Sequence, residues 1–546
     1  MSEPLLAFDA AAVLTWARLA TAGLRAERAR IDDLNVFPVA DSDTGTNLLL
    51  TFVDGATALE NHLTSSAANQ PAGSEASYQT GAGDALVVLA RAALRGARGS
   101  SGTILSQILL GFATEVADLN TIHREDFARA LRRAADTAWE AVSTPVSGTI
   151  LTVARAAADA ATELEGTASA IIARTVAAAR TALIETEDQL SVLKEAGVVD
   201  AGGSGLVILF EALLAAVKGR EELPLRSSVP ERKPTREALP VTHELVPLTG
   251  PSELHEHFHA GSHQVDGEFE VMFLVDDESP QAGTVLRERL QQIGSSVVVV
   301  GGAGLWQVHV HCDDVLSALA VTERHRRHQV TIHHLPTLVA REQGRDIGLV
   351  LCTRAPGLAG ELARSGAVVV ITQGDEVPSS EQVGRAVVDS GAREVVIVAA
   401  WPSAHDVARE LSPPPGIEVT VMDSVGEAYL LAAAAVHQPL RTVEHDPVAA
   451  IKDAVARLLS ESGDEYSVGG GVRFEDWLRS NLGEGELLTA IVTSPELVAN
   501  GDEAEGFVEE FLQRAGDVSG VCEDLGIELE VLYGGQESPN VIWSVE

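Results

Sequence analysis

Residues 35–47 read Asn-Val-Phe-Pro-Val-Ala-Asp-Ser-Asp-Thr-Gly-Thr-Asn. Asp41 and Asp43 stand one residue apart, followed at once by Thr44, Gly45, Thr46 and Asn47. Two carboxylates that share a small site do so at a cost unless a cation compensates them. Hard oxygen ligands of this kind suit Mg²⁺. The small residues that follow leave backbone N–H groups open to phosphate oxygens. On its own, such a turn reads as an acidic cap on a surface helix. Two further Gly-rich segments in the same region weigh against that bland reading.

The first is Gly96-Ala97-Arg98-Gly99-Ser100-Ser101-Gly102, ahead of an apolar helical pattern from Thr103. A Gly- and Ser-rich segment that opens a helix can cradle phosphate, because backbone N–H groups and the helix dipole both favour an anion there. It is not a Walker loop, since it lacks the G-x-x-x-x-G-K-[ST] pattern. Read alone, it is a helix–helix turn with a serine cap. The second is Asp200-Ala201-Gly202-Gly203-Ser204-Gly205, with a helix start at about Leu206. Glycine at this density is costly unless the chain turns sharply or something must approach the backbone. Pro145-Val146-Ser147-Gly148-Thr149 places one more threonine at a helix start.

In this order the four segments resemble the DAK2 domain, the nucleotide-binding domain of dihydroxyacetone kinases and of the bacterial fatty acid kinase A protein. The long chain with a mixed C-terminal half resembles the latter. The resemblance implies a closed antiparallel helical barrel that holds ATP and two Mg²⁺ ions at one mouth. It implies that Asp41 and Asp43 are the metal-binding, catalytic aspartates. Asn35 falls where dihydroxyacetone kinases carry a third aspartate. Thr44, Gly45, Thr46, Asn47, Gly99, Ser100, Ser101, Gly102 and Thr149 match phosphate- and nucleotide-contacting positions. Asp200 and Gly202 match the segment that closes over the nucleotide. Ser42 stands where the family usually has Gly, and Ala40 where it usually has Pro.

A second cluster of chemistry lies further on. Eleven of the sixteen histidines fall between His243 and His334. His309 and His311 flank Val310 on a predicted strand, so both point to one face. Paired imidazoles are good metal ligands, and Zn²⁺ is the occupant they favour. The Val-His-Val-His strand resembles the middle domain of the fatty acid kinase A protein, where a cysteine on a neighbouring strand accompanies the pair. Glu270 takes that cysteine's position here, and a carboxylate can replace a thiolate at zinc. The His255-Glu256-His257-Phe258-His259 stretch reads as a solvated segment.

The elements that must position these groups fall into two regimes. Residues 1–220 read as an all-α domain, with helical periodicity at about 46–60, 84–95, 103–117, 126–142, 149–163, 168–186 and 205–218, and with Asp9 capping an earlier helix. Thr64–Ala82 reads as a flexible loop, and a Pro-rich linker spans about 221–244. A middle α+β module is expected over 245–338, with strands at Phe269–Val275, Ser296–Val300 and Trp306–His311. Apolar β-rich runs then alternate with helical ones over 339–546, the mark of a parallel sheet. This α/β half, in two lobes, resembles the DegV-like lobes of the same kinase protein. It departs from relatives at Thr372-Gln373-Gly374-Asp375 and at Trp401-Pro402. The chain is thus expected to be multidomain: an all-α barrel followed by α+β and α/β modules.

Composition sets outer bounds. A net charge of −40 excludes nucleic-acid binding through a basic stripe, and no stretch approaches the length of a membrane span. Three scattered cysteines and a start without a basic, apolar leader lead us to expect the cytoplasm. The leading expectation is an ATP-dependent kinase component that makes acyl phosphate on a separate fatty-acid-binding, DegV-like carrier protein. The rivals are a dihydroxyacetone-kinase-like phosphotransferase with another acceptor and a non-catalytic nucleotide-binding scaffold. The resemblance leaves a homodimer open.

Overall fold

The computed structural model describes residues 8–68, 80–163, 165–220, 222–223, 267–339, 347–372, 376–437, 447–457, 459–463, 467–468, 472–473, 487–492, 501–514, 522, 528–534 and 541–545. The linker apart from Glu222 and Leu223, and the histidines at 243, 255, 257, 259 and 263, lie outside them, as do Gly374, Asp375 and most of the Thr64–Ala82 loop. The chain divides into two compact units, Met1–Asp266 and Gly267–Glu546.

The long regular elements of the first unit's described residues are all helices. Its helices are α1 (Ala10–Leu34), α2 (Thr44–Ala68), α3 (Ala82–Arg95), α4 (Gly99–Glu115), α5 (Arg124–Ala141), α6 (Ile150–Ala161), α7 (Ala168–Gln189), the short α8 (Ser191–Ala196) and α9 (Ala201–Val217). Asp9 caps α1 as expected, its carboxylate accepting the Ala12 amide at 2.9 Å. Each long helix packs on the next, α7 packs on α9, and α9 returns to α1, so the ring closes into a barrel. Apolar residues recur at helical spacing and bury one face of each helix. On α5 the buried face is Phe127, Ala128, Ala130, Leu131, Ala134, Ala135, Ala138 and Ala141.

Alanine and glycine let these helices approach closely. A Cβ on Gly45 would lie 2.2 Å from the Arg28 carbonyl oxygen, so the α1–α2 contact tolerates no side chain there. Helix α9 is apolar on all sides, and every residue from Ala201 to Phe210 is buried. A helix of that kind needs neighbours all round, and α1, α2, α6 and α7 supply them. Trp16 packs edge-on against Phe52 at 5.5 Å and donates its indole N–H to the Leu209 carbonyl at 3.0 Å.

The second unit is built on an eight-stranded sheet. Its strands are β1 (Phe269–Asp276), β2 (Gly294–Gly302), β3 (Leu305–Cys312), β4 (Arg327–His334), β5 (Ile347–Thr353), β6 (Val368–Ile371), β7 (Glu394–Ala399) and β8 (Glu418–Val425). They lie in the order β2-β3-β1-β4-β6-β5-β7-β8. The half from β2 to β4 is antiparallel, β4 joins β6 antiparallel, and β6, β5, β7 and β8 are parallel. The expected boundary between residues 338 and 339 therefore falls between strands of one sheet. The helices Ser380–Asp389, Pro402–Glu410 and Glu427–Val436 connect or follow the parallel strands. Among the described residues a second sheet holds six short strands from Leu459 to Val545, among them Leu487–Val492 and Glu528–Tyr533.

Candidate functional site

The Gly-rich segments are the first turns of helices rather than loops ahead of them. Helix α2 opens at Thr44, α4 at Gly99 and α9 at Ala201. The first turn of a helix carries N–H groups with no intrahelical acceptor, which is what an anion site requires. Tertiary packing brings four such ends to one mouth of the barrel. Gly99 at the start of α4 sits against Asn47 of α2, and the Arg98 amide donates to Thr51 Oγ1 at 3.1 Å. Gly205 of α9 packs against Leu48 of α2. Asp200 joins α9 to α6, because its carboxylate accepts N–H bonds from both Gly203, at 2.6 Å, and Ile150.

The two predicted metal aspartates lie on the loop into α2, after a cis Phe37-Pro38 peptide bond. Both are partly exposed. Asn35 is buried, and its side-chain N–H donates to Asp41 Oδ1 at 2.5 Å. Its own carbonyl Oδ1 is buried with no hydrogen-bond partner. A buried acceptor without a donor costs roughly 1–3 kcal/mol. Beside the Asp41 carboxylate, and with Asp43 two residues on, a hard cation would relieve that cost, so the donor set Asn35, Asp41 and Asp43 suits Mg²⁺. Ser42, between the aspartates, has φ +54°, the left-handed region where glycine is at ease.

Asp32, one turn before the loop, escaped the sequence reading. Its Oδ1 accepts the Thr46 amide and its Oδ2 the Thr46 hydroxyl, each at 2.9 Å, while Arg28 lies 3.7 Å away. Burial raises the Asp32 carboxyl above its ordinary range, against the Thr46 bonds and the Arg28 charge. The missed signal was an acid 14 residues ahead of a threonine, a spacing no local motif encodes. Arg98 escaped it too: its guanidinium is buried, 3.3 Å from Asp54 Oδ2 and 3.3 Å from the Gly96 carbonyl.

Among the other expected residues, Thr149 is the N-cap of α6, and its hydroxyl donates to the Val146 carbonyl at 2.8 Å. Gly202 lies in the first turn of α9, where a Cβ would meet Ile150 at 3.2 Å. Ser100 and Ser101 are partly exposed on the first turn of α4, and Gly102 is buried behind them. Burial, opposed by the Gly203 and Ile150 N–H bonds, pushes the Asp200 carboxyl up to about 6.

The opposite end of the barrel is apolar. An apolar cavity of about 120 Å³ lies there, lined by side chains that include Trp16, Leu89, Phe112, Phe127, Phe210 and Leu213. Its walls come from the N-terminal parts of α1, α3, α5 and α7 and the C-terminal parts of α4 and α9.

In the second unit, the sheet brings Glu270, His309 and His311 together as expected. Glu270 on β1 pairs directly with His311 on β3, and His309 lies two residues further along the same face. Their ligand atoms all fall within 4.8 Å of one another. Both rings are buried, with His309 Nδ1 and Nε2 and His311 Nδ1 lacking hydrogen-bond partners. Burial pushes both imidazoles below their ordinary range, His311 to about 3, so both are neutral at pH 7. Burial works against charging Glu270, yet the His333 hydrogen bond and the neighbouring rings hold it down at about 2. Neutral imidazoles beside a carboxylate are the protonation states a divalent metal needs, and the orphaned ring nitrogens fit Zn²⁺.

Comparison with known proteins defines the class. Residues 38–215 match the DAK2 domain, and residues 266–339 match the FakA-like middle domain of fatty acid kinases. Protein YloV of Bacillus subtilis is 32% identical over 416 residues, covering 70% of this chain and 69% of YloV. An uncharacterized protein of Staphylococcus saprophyticus is 32% identical over 395 residues, covering 67% of this chain and 66% of its own length. One from Staphylococcus aureus strain USA300 is 26% identical over 385 residues, covering 67% and 65%. These alignments span about two thirds of each relative. The chain belongs to the family of YloV-type proteins, and it joins a DAK2 domain to a FakA-like middle domain of the kinase-like class. Among the described residues, no helix is long and apolar enough to cross a membrane.

Proposed function

We propose that this protein is the ATP-dependent kinase component of a two-component fatty acid kinase. The first unit binds ATP with Mg²⁺, two ions in the full site, and the acceptor is a fatty acid carried by a separate DegV-like protein that the second unit recognises. The observation that carries this reading is the mouth of the barrel. There Asn35 presents an orphaned oxygen and is bonded to Asp41, on the loop that also carries Asp43, and the first turn of α4 packs against α2 at Asn47.

Asn35, Asp41 and Asp43 would hold Mg²⁺, which neutralises phosphate charge as the γ-phosphoryl group moves. The N–H groups of Thr44 and of Gly99–Ser101 then serve as donors to the β- and γ-phosphates. Asp32 fixes the Thr46 amide and hydroxyl, and so sets the direction of the first turn of α2. A fatty acid carboxylate is already ionised at neutral pH, so no general base is needed. Delivering it on a protein limits water at the transferring group and hence wasteful hydrolysis. In the second unit, Zn²⁺ held by Glu270, His309 and His311 would cross-link β1 to β3.

The test is acyl phosphate formation from ATP by the full chain with a fatty-acid-loaded DegV-like carrier. Turnover at the ~1–100 s⁻¹ of ordinary kinases is expected with the carrier, and loss of it in Asp41→Ala and Asp43→Ala. Equal turnover with free fatty acid and no carrier would overturn the two-component reading. Unchanged Mg·ATP affinity in both variants would overturn the site.

A further inference from the structure

We infer that His333 is the positioning residue of the buried Glu270/His309/His311 metal site, holding the Glu270 carboxylate. The inference rests on the proposal that these three residues take a metal.

Glu270 lies on β1 between two histidine-bearing strands. On one side it pairs with His311 of β3, and on the other with His333 of β4. Its two oxygens are divided between those sides. Oε2 accepts a hydrogen bond from His333 Nδ1 at 2.9 Å, while Oε1 lies 3.4 Å from His309 Nδ1. His333 is itself buried, with only 8% of its surface exposed. One oxygen is therefore anchored away from the cluster, and the other is left facing the unpartnered imidazoles.

The chemistry explains why a carboxylate needs this and a thiolate does not. Cysteine presents one ligand atom on a short side chain. Glutamate has two more rotatable bonds and two equivalent oxygens. Its charge is also costly to bury without a partner. A hydrogen bond to the second oxygen holds the rotamer and stabilises the anion at once. Outer partners of this kind typically change metal affinity by about 10–100-fold when removed. A His₂-carboxylate set also suits several divalent ions besides Zn²⁺.

The experiment uses the full-length chain, stripped of metal with a chelator and titrated with Zn²⁺ against a competing indicator. Wild type is expected to bind one Zn²⁺ per chain. His333→Ala should keep that stoichiometry but bind about 10–100-fold more weakly. His333→Gln, which retains an N–H donor, should recover part of the loss. The decisive comparison is in a Glu270→Cys background. There the carboxylate is gone, so adding His333→Ala should cost nothing, and Co²⁺ loading should give a thiolate charge-transfer band of equal intensity in both proteins. An equal loss in that background would make His333 a ligand and overturn the inference, as would unchanged affinity in the single variant. If wild type binds no Zn²⁺ while folded, the metal reading itself fails. Circular dichroism of the stripped proteins separates loss of fold from loss of metal.

Discussion

Asn35 and Asp41 are joined by a side-chain hydrogen bond of 2.5 Å that turns the Asn35 amide so that its carbonyl oxygen is buried without a donor. Removing the amide should release Asp41 and delete one oxygen from the cation site. Asn35→Ala is expected to weaken Mg·ATP binding by about tenfold, the scale of one charge-assisted bond. Asn35→Asp puts a like charge beside Asp41, so binding should become more steeply Mg²⁺-dependent. Calorimetry across a Mg²⁺ series checks both, and identical curves for the three proteins would exclude Asn35 from the site.

Ser42 occupies the left-handed region at φ +54°, where glycine is at ease. A side chain there costs roughly 1–2 kcal/mol. Part of the gain from glycine is lost to the freer unfolded chain, about 0.5–1 kcal/mol. Ser42→Gly should therefore stabilise the helical unit by about 0.5–1 kcal/mol. Chemical denaturation showing a loss of stability would mean the Ser42 side chain makes a contact that outweighs the strain.

Gly99 and Gly219 share a left-handed backbone, φ +57° and +65°, but differ in their surroundings. A Cβ at Gly99 would lie 2.4 Å from Asn47 Nδ2, whereas Gly219 faces open space. Both Ala variants carry the same backbone cost of ~1–2 kcal/mol. Only Gly99→Ala should also displace Asn47 and lower nucleotide affinity, by about tenfold or more on the scale of a lost phosphate donor. Equal nucleotide affinity in the two variants would place the anion elsewhere.

The Asp200 carboxyl is raised from an ordinary 3.8 to about 6 by burial. The folded state thus holds its proton more tightly than the unfolded chain does. The contribution to stability is full below pH ~4 and is lost as pH rises through about 6. At ~1.4 kcal/mol per pKa unit, the loss amounts to about 3 kcal/mol. Asp200→Asn keeps a cap acceptor for Gly203 but does not titrate. Between pH 4 and 7 the wild type should lose stability relative to this variant, and parallel pH–stability curves would refute the assignment.

Much of the architecture is legible in the chain because its causes are local. Helical periodicity of Ala, Leu and Val marks the long helices, and short Val-Ile runs mark β5 to β8. Asp41 and Asp43 stand out because their chemistry depends on a spacing of two residues. The order of the Gly-rich segments points to the family without any structure. Helix starts are less legible. Thr44, Gly99 and Ala201 open helices, yet small residues in a first turn look like loop, because the four leading N–H groups make no intrahelical bond in either case.

What the tertiary structure alone decided is which distant groups meet. Strand β4 reads Arg-His-Gln-Val-Thr-Ile-His-His, too polar to declare itself as a strand, and it forms because β1 and β6 offer it edges on both sides. Through that pairing His333 reaches Glu270, 63 residues away. Asp32 reaches Thr46, and Asp200 reaches Ile150, only once the barrel closes. Sequence determined the long helices, the apolar strands and the acidic motif, since these follow from neighbours along the chain. It could not determine the mouth of the barrel, the buried histidine site or the apolar cavity, since these arise from burial and pairing between elements far apart in sequence.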